Sequence, residues 1–346
     1  MRIALFAVAL ASLMLAGNLL AAEPYQLDDS PERILLKTPQ LEAVINKKGY
    51  VTGVKAQTFL DVKTGFRDAG YGLDIVDWIM EPGSDEAYRD QLVGEMVYKF
   101  GNDYHGQTPK RSIEGPQICT QAKELSPSVI RGKDFVAVQQ SYQYRTAAPG
   151  KNVGSTWTQK LVFPLGKRYF ISSDRIDAVN DSPAMFLRLD MPGHIKHNQG
   201  DSFSEIFLSY HGENGGRISS KEFLKNFAPD ERFNYRRERL EKGGQKLPQR
   251  IIRGYHLRDP KTGQAGPWLL GMTLNPASVS EGWCHQRGYV CLIEEFGERP
   301  IKAGEHFSAA FIVGFFDSLE EAEKVYDHHQ GANEVEVSEA GWKLVQ

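Results

Sequence analysis

Downstream of residue 134 the chain is a succession of short apolar runs separated by turns, and this rhythm constrains the fold more than any other feature. Residues 135–145 show it best: Val136, Val138, Tyr142 and Tyr144 alternate with Gln139, Ser141 and Gln143. A two-residue alternation of this kind describes a half-buried antiparallel strand. Residues 156–163 and 168–180 form a long hairpin closed at Pro164-Leu165-Gly166-Lys167. Residues 186–191, 204–210, 251–258, 267–274, 289–295 and 307–315 have the same character, and turn residues lie between them. No strand–helix–strand rhythm and no fixed repeat period interrupts the series, which excludes a parallel α/β fold and a solenoid. The expectation is an all-β chain with one large domain over residues 23–346, built from two packed antiparallel sheets with a broad sheet face.

Upstream, residues 41–45 and 50–54 read as two strands joined at Asn46-Lys47-Lys48-Gly49, with Gly49 supplying the positive φ of a hairpin turn. Residues 94–100 and 118–125 read as further strands, and residues 23–38 as a lead-in with little periodicity. One or two short helices are expected. Ser219-Ser220-Lys221-Glu222 and Ser318-Leu319-Glu320-Glu321 are capping boxes. Pro229 stops the first early, and the charged stretch 230–242 reads as a helix or an exposed loop.

The first 22 residues are expected to leave the fold. Met1-Arg2 is a short basic segment, residues 3–15 are nearly all apolar, and Leu20-Ala21-Ala22 offers small residues for a signal peptidase. The expected location is periplasmic or secreted, with no membrane association after cleavage near Ala22; an uncleaved anchor is the alternative. A formal net charge of −3, one unit more negative without Arg2, argues against nucleic-acid or anionic-membrane partners. The three cysteines, Cys119, Cys284 and Cys291, permit at most one internal disulfide. A tight hairpin at 286–288 would bring Cys284 and Cys291 opposite each other; whether they pair is left open.

Chemistry-bearing motifs of the common kinds are absent: there is no G-x-S-x-G, no phosphate-cradling glycine loop and no H-E-x-x-H. Without a C-x2-C pair a structural zinc site is not expected. His194 and His197 would share a metal only on a helix, and Pro192-Gly193 argues against one there. No metal and no cofactor is expected. Residues 66–78 mix glycines, charges and large apolar groups, a composition suited to a pocket-lining loop or to a surface loop with an ordinary Arg67 ion pair.

Residues 283–305 carry the densest candidate chemistry. Tyr289-Val290-Cys291-Leu292-Ile293 runs into Glu294 and Glu295, with His285 and Arg287 just upstream and Gly304 in the turn that follows. A carboxylate at the end of a buried strand can hold a raised pKa and act as a base. Side-chain alternation leaves the choice between Glu294 and Glu295 open.

The order of these features resembles the galactose mutarotase-like family. It comprises Arg67 in an early glycine-rich loop, His105-Gly106 after a strand, His194 and His197 near mid-chain, and Glu294 or Glu295 late, followed by Lys302-Ala303-Gly304-Glu305. The resemblance implies a large antiparallel β super-sandwich and a carbohydrate partner. It also implies acid–base catalysis by His197 (or His194) and Glu294, with Arg67 and His105 holding the sugar; His285 and Arg287 are placed near the rim of the same site by their position in residues 283–305. The layout departs from the family's at Asn198-Gln199-Gly200-Asp201, where an aromatic-Asn pair usually follows the histidine. Epimerase or mutarotase chemistry is the leading expectation. A polysaccharide lyase acting on uronic-acid glycans is the alternative, with Tyr210, His211 and the basic run Arg236-Arg237-Arg239 as candidate groups; a sugar-binding module without catalysis is the third.

Overall fold

The computed structural model describes residues 24–68, 70–83, 110–197, 201–212, 215–227, 232–286 and 288–346. Among these, two large antiparallel sheets dominate. The first has nine strands in the order Ser128–Arg131, Phe135–Gln143, Thr156–Pro164, Tyr169–Asp177, His306–Phe316, Ala265–Thr273, Ile251–Arg258, Phe203–Leu208 and Gly216–Ser219. The second has eight, seven of them in the order Thr146–Ala147, Lys110–Gly115, Ile75–Pro82, Ser182–Asp190, Tyr289–Ile301, Val279–Gln286 and Tyr235–Arg236, while Ile195–Lys196 pairs with the start of Tyr289–Ile301. The expected all-β architecture of two packed sheets is therefore the observed one.

The sheets pack because alternate residues on their facing sides are apolar. Ile79, Leu187, Leu189, Leu292 and Phe296 of the eight-stranded sheet meet Val136, Leu161, Phe170, Tyr255, Phe311 and Val313 of the nine-stranded sheet in one buried cluster. Each such side chain contributes roughly 1.5–3 kcal/mol of burial free energy. The far side of the nine-stranded sheet is also apolar and is covered by the helix Leu319–His329 through Leu319, Ala322 and Tyr326, and by the strand Glu334–Ser338 through Val335. Ser318 caps that helix as its sequence predicts, its Oγ accepting from the Glu321 amide at 3.2 Å.

Several local expectations change. Residues 23–38 contain two paired strands, Gln26–Asp29 and Arg33–Lys37. The strand Leu41–Asn46 pairs with Arg33–Lys37 and Leu60–Asp61 rather than with residues 50–54. Gly49 does adopt φ of +84°, but Lys48–Gly49 pairs with Lys123–Glu124. Ile118–Gln121 is a helical turn instead of a strand. The first capping box produces a short 3₁₀ helix, Ser220–Phe223, and the basic stretch a helix at Arg237–Lys242. The strand expected at 94–100 lies outside the described residues.

None of the three cysteines is disulfide-bonded. The hairpin register sets Cys284 opposite Leu292 and Cys291 opposite His285. Cys284 therefore belongs to the inter-sheet core, while Cys291 clusters with Trp283 and Ile293 on the other face.

Candidate active site on the outer face of the eight-stranded sheet

The side of the eight-stranded sheet turned away from its partner is lined by charged, imidazole and aromatic groups, in contrast to the apolar inner side. Strand alternation assembles it. Val279–Gln286 contributes Glu281, Trp283 and His285; Tyr289–Ile301 contributes Tyr289, Cys291, Ile293 and Glu295; Ser182–Asp190 contributes Phe186, Arg188 and Asp190. The register aligns these into rows: Glu281 with Glu295 and Arg188, then Trp283 with Ile293 and Asp190, then His285 with Cys291.

One end of the band is a buried ion cluster. Lys110 Nζ donates to Glu281 Oε2 at 2.6 Å and also to Glu295, and Arg188 donates to Glu295 Oε1 through Nε at 2.9 Å and Nη2 at 2.6 Å. The Trp283 ring lies under both cations, 4.8 Å from Lys110 Nζ and 5.3 Å from Arg188 Cζ. Two cations matched by two carboxylates is the arrangement that makes such burial tolerable, since each charge replaces its lost water with a partner. Asp77 sits close by, bonded to Gln117; burial raises its pKa, and Arg188 pulls it back.

The other end opens to solvent. Tyr71, 36% exposed, stands 5.2 Å from the Tyr289 ring, and His194 lies 6.0 Å and 5.1 Å from these two. His285, on the neighbouring strand Val279–Gln286, is 6.3 Å from the Tyr289 ring. His194 Nε2 is 3.2 Å from Asp190 Oδ2, and Lys196 Nζ lies 5.3 Å from the Tyr71 ring.

Glycines set this end. The Tyr71 amide donates to the His194 carbonyl at 3.1 Å, and Gly70 bridges Ile195. A Cβ on Gly70 would lie 1.8 Å from the His194 carbonyl oxygen, and one on Gly193, whose φ is +140°, 2.0 Å from the Gly72 oxygen. The two loops can touch only where no side chain intervenes. The mixed segment 66–78 thus does supply a wall of the face, through Tyr71.

The expected pairing of His197 with Glu294 is not formed. Glu294 points inward, on the side of Leu292 and Phe296; it accepts from Thr273 Oγ1 at 2.6 Å and meets Arg253 Nη2 at 2.9 Å, both on the nine-stranded sheet. Burial pushes its pKa up, while Arg253 and Thr273 favour the carboxylate. His197 is buried elsewhere, with its ring 4.0 Å from Phe203, Nδ1 at 3.2 Å from Ser202 Oγ and Nε2 at 3.4 Å from the Ser220 carbonyl. Burial lowers its pKa. Among the described residues Glu294 pairs with Arg253 and Thr273 while His197 packs against Phe203, Ser202 and Ser220, so the two are not brought together as an acid–base couple.

Of the remaining expected residues, His194 and His285 come together on the outer face. Arg67 is exposed and forms an isolated bridge to Leu60, in the strand Leu60–Asp61. Tyr210 lines a separate groove with Tyr235, and His211 lies 5.9 Å from Phe233. His105 and Arg287 lie outside the described residues. Tyr71, Lys110, Arg188, Asp190, Glu281, Trp283, Tyr289 and Cys291 were not singled out for chemistry. The signal for three of the face residues was present as the alternation Glu281, Trp283, His285 on one strand.

No protein-family model matches the chain, and no curated protein matches it. Among solved structures it is similar to a galactose 1-epimerase from Lactobacillus acidophilus NCFM, with a TM-score of 0.38 and 8% identity over 85% of this chain and 98% of that one. A galactose mutarotase related enzyme from Lactobacillus acidophilus aligns with a TM-score of 0.31 and 12% identity over 84% of this chain and 97% of that one. A 4-alpha-glucanotransferase from Thermococcus litoralis aligns with a TM-score of 0.36 and 10% identity over 85% of this chain, which spans 39% of the glucanotransferase's length. The all-β assignment stands on the two sheets themselves.

Proposed function

We propose that this protein is an exported carbohydrate-active protein that takes a sugar at the open end of the outer face and catalyses proton transfer of the epimerase or mutarotase type. The observation that carries the reading is the grouping of Tyr71 and Tyr289 with two imidazoles, His194 at 5.1 Å and His285 at 6.3 Å from the Tyr289 ring. Aromatic faces receive the apolar C–H side of a pyranose, while imidazoles reach its hydroxyls and ring oxygen. Anomer interconversion needs one group to take the C1 hydroxyl proton and another to protonate the ring oxygen. His194 and His285 are the pair in reach of one ring on Tyr289, with Asp190 orienting His194. Export is supported by the composition of residues 1–22.

The test is polarimetry on freshly dissolved aldoses. Acceleration by the wild type that is lost in both His194→Ala and His285→Ala is the expected result; acceleration that survives both removes them from the reaction. A second reading, β-elimination on a uronate glycan, draws on a groove of about 710 Å³ lined by Tyr210, Arg236, Arg239, Lys246 and Arg250. Ultraviolet absorbance from an unsaturated product would favour it. Sugar binding without either signal would favour a binding module.

A further inference from the structure

Three potential metal donors of different chemical type converge on the outer face next to the proposed sugar end. Each comes from a different backbone segment: Asp190 from the last position of Ser182–Asp190, His194 from the loop after it, and Cys291 from Tyr289–Ile301. One donor atom of each, a carboxylate oxygen, an imidazole nitrogen and the sulfur, lies within 4.8 Å of the other two. Asp190 Oδ2 and His194 Nε2 are already 3.2 Å apart, about the separation of two ligands on one tetrahedral ion.

The second observation concerns Asp190. Its side chain is 2% exposed, yet its Oδ1 finds no hydrogen-bond partner among the described residues. A buried carboxylate oxygen without a donor costs free energy unless something else neutralises it. A dication would remove that cost.

We propose that Asp190, His194 and Cys291 form a site for a single transition-metal dication of the zinc type, with an open position facing the Tyr71–Tyr289 end. The donor set argues for that class. Sulfur and imidazole select zinc or cobalt over calcium and magnesium, which prefer oxygen alone. One thiolate and one carboxylate would together balance the charge of the dication. His194 keeps 16% of its side chain exposed, which leaves a path for the ion. Three protein ligands with one position left for water or a sugar hydroxyl is the pattern of a reactive centre. If loaded, the site would hold His194 as a ligand, and the ion would supply Lewis-acid and acid–base chemistry at its open position. The proposal rests on the donor geometry and the unpartnered Asp190 oxygen, and in its consequence it deepens the sugar reading.

The experiment uses the purified protein, stripped with a chelator and titrated with Co²⁺. Saturation at one equivalent is expected, with tetrahedral visible bands and a near-ultraviolet thiolate-to-cobalt band that Zn²⁺ bleaches. Cys291→Ser should abolish the near-ultraviolet band, and Cys284→Ser and Cys119→Ser should keep it. His194→Ala and Asp190→Asn should each weaken Zn²⁺ affinity at least 10-fold. Absence of the bands, or a thiolate band that persists in Cys291→Ser, overturns the proposal. If Cys291→Ser does not fold, zinc-edge X-ray absorption of the Zn²⁺-loaded Cys119→Ser/Cys284→Ser double variant decides instead: one sulfur among the ligands is expected, and a shell of nitrogen and oxygen alone overturns the site. Metal binding without sugar chemistry would sink the sugar reading and leave the site standing; sugar chemistry without metal binding would do the reverse.

Discussion

Glu294 and Glu295 are neighbours in sequence and serve opposite faces of one sheet. Glu294 reaches through the core to Arg253 and Thr273 of the nine-stranded sheet, while Glu295 holds Arg188 and Lys110 on the outer face. A strand turns successive side chains by half a revolution, so one residue of register decides whether a carboxylate lies between two sheets or beside a candidate site. Both are buried and ion-paired. Glu295 belongs to the candidate active face, and Glu294 cross-links the sandwich.

The Arg253–Glu294 contact should therefore matter for stability more than for chemistry. Arg253→Met leaves a carboxylate in the core without its cation, and removal of one partner from a buried pair costs about 3–5 kcal/mol. Urea denaturation of Arg253→Met, Glu294→Gln and the double variant is expected to show large single losses and partial recovery in the double. Single losses below about 1 kcal/mol would mean that the core tolerates the lone charge.

Tyr289 should contribute to sugar affinity. Aromatic contacts of this kind contribute about 0.5–1.5 kcal/mol beyond area, so Tyr289→Ala is expected to weaken binding of a recognised sugar at least 2- to 12-fold by titration calorimetry. An unchanged dissociation constant would place the sugar elsewhere on the molecule.

Gly193 and Gly288 both have positive φ, at +140° and +84°, yet substitution should separate them. A Cβ at Gly193 meets the Gly72 carbonyl at 2.0 Å, whereas one at Gly288 meets nothing within 4 Å. Gly288→Ala is expected to cost about 1–2 kcal/mol from backbone strain alone. Gly193→Ala should cost on the order of 3 kcal/mol or more and displace His194. Thermal melting of the two variants gives the order directly; similar losses would show that the loops can part without penalty.

A buried acid pair between the sheets predicts a pH dependence. Asp74 and Asp174 interact in the core; burial pushes Asp74 up to about 6, and burial together with Asp74 raises Asp174 well above the usual carboxylate range as well. For an acid whose folded pKa lies above its unfolded value near 4, the folded state binds the extra proton. That stability is complete below about pH 4 and is lost as pH rises through 6. Asp74→Asn should flatten this part of the profile in melts from pH 4 to 7. A wild-type contribution that instead grows over that range would contradict the raised values.

Much of the sheet architecture was legible before any coordinate. The strand Ile251–Arg258 lies at its expected positions, and the hairpin of Thr156–Pro164 with Tyr169–Asp177 closes at the anticipated turn, because alternation and turn residues are local signals. The pairing of the first strands was not legible. Gly49 has the conformation its sequence suggests, but long-range contacts with Lys123–Glu124 selected its partner.

The site divides in the same way. Sequence alone marked residues 283–305, His194, His285 and the glycine-rich loop as places where polar groups sit among apolar ones. Tertiary structure decided which of them meet: it sent Glu294 to Arg253, packed His197 on Phe203, and brought Asp190, His194 and Cys291 from separate segments to one face. Composition and periodicity determine that strands form and which of their sides is apolar. Register and the close approach of Gly70 and Gly193 to neighbouring backbone, set by contacts far apart in the chain, determine which polar side chains become neighbours.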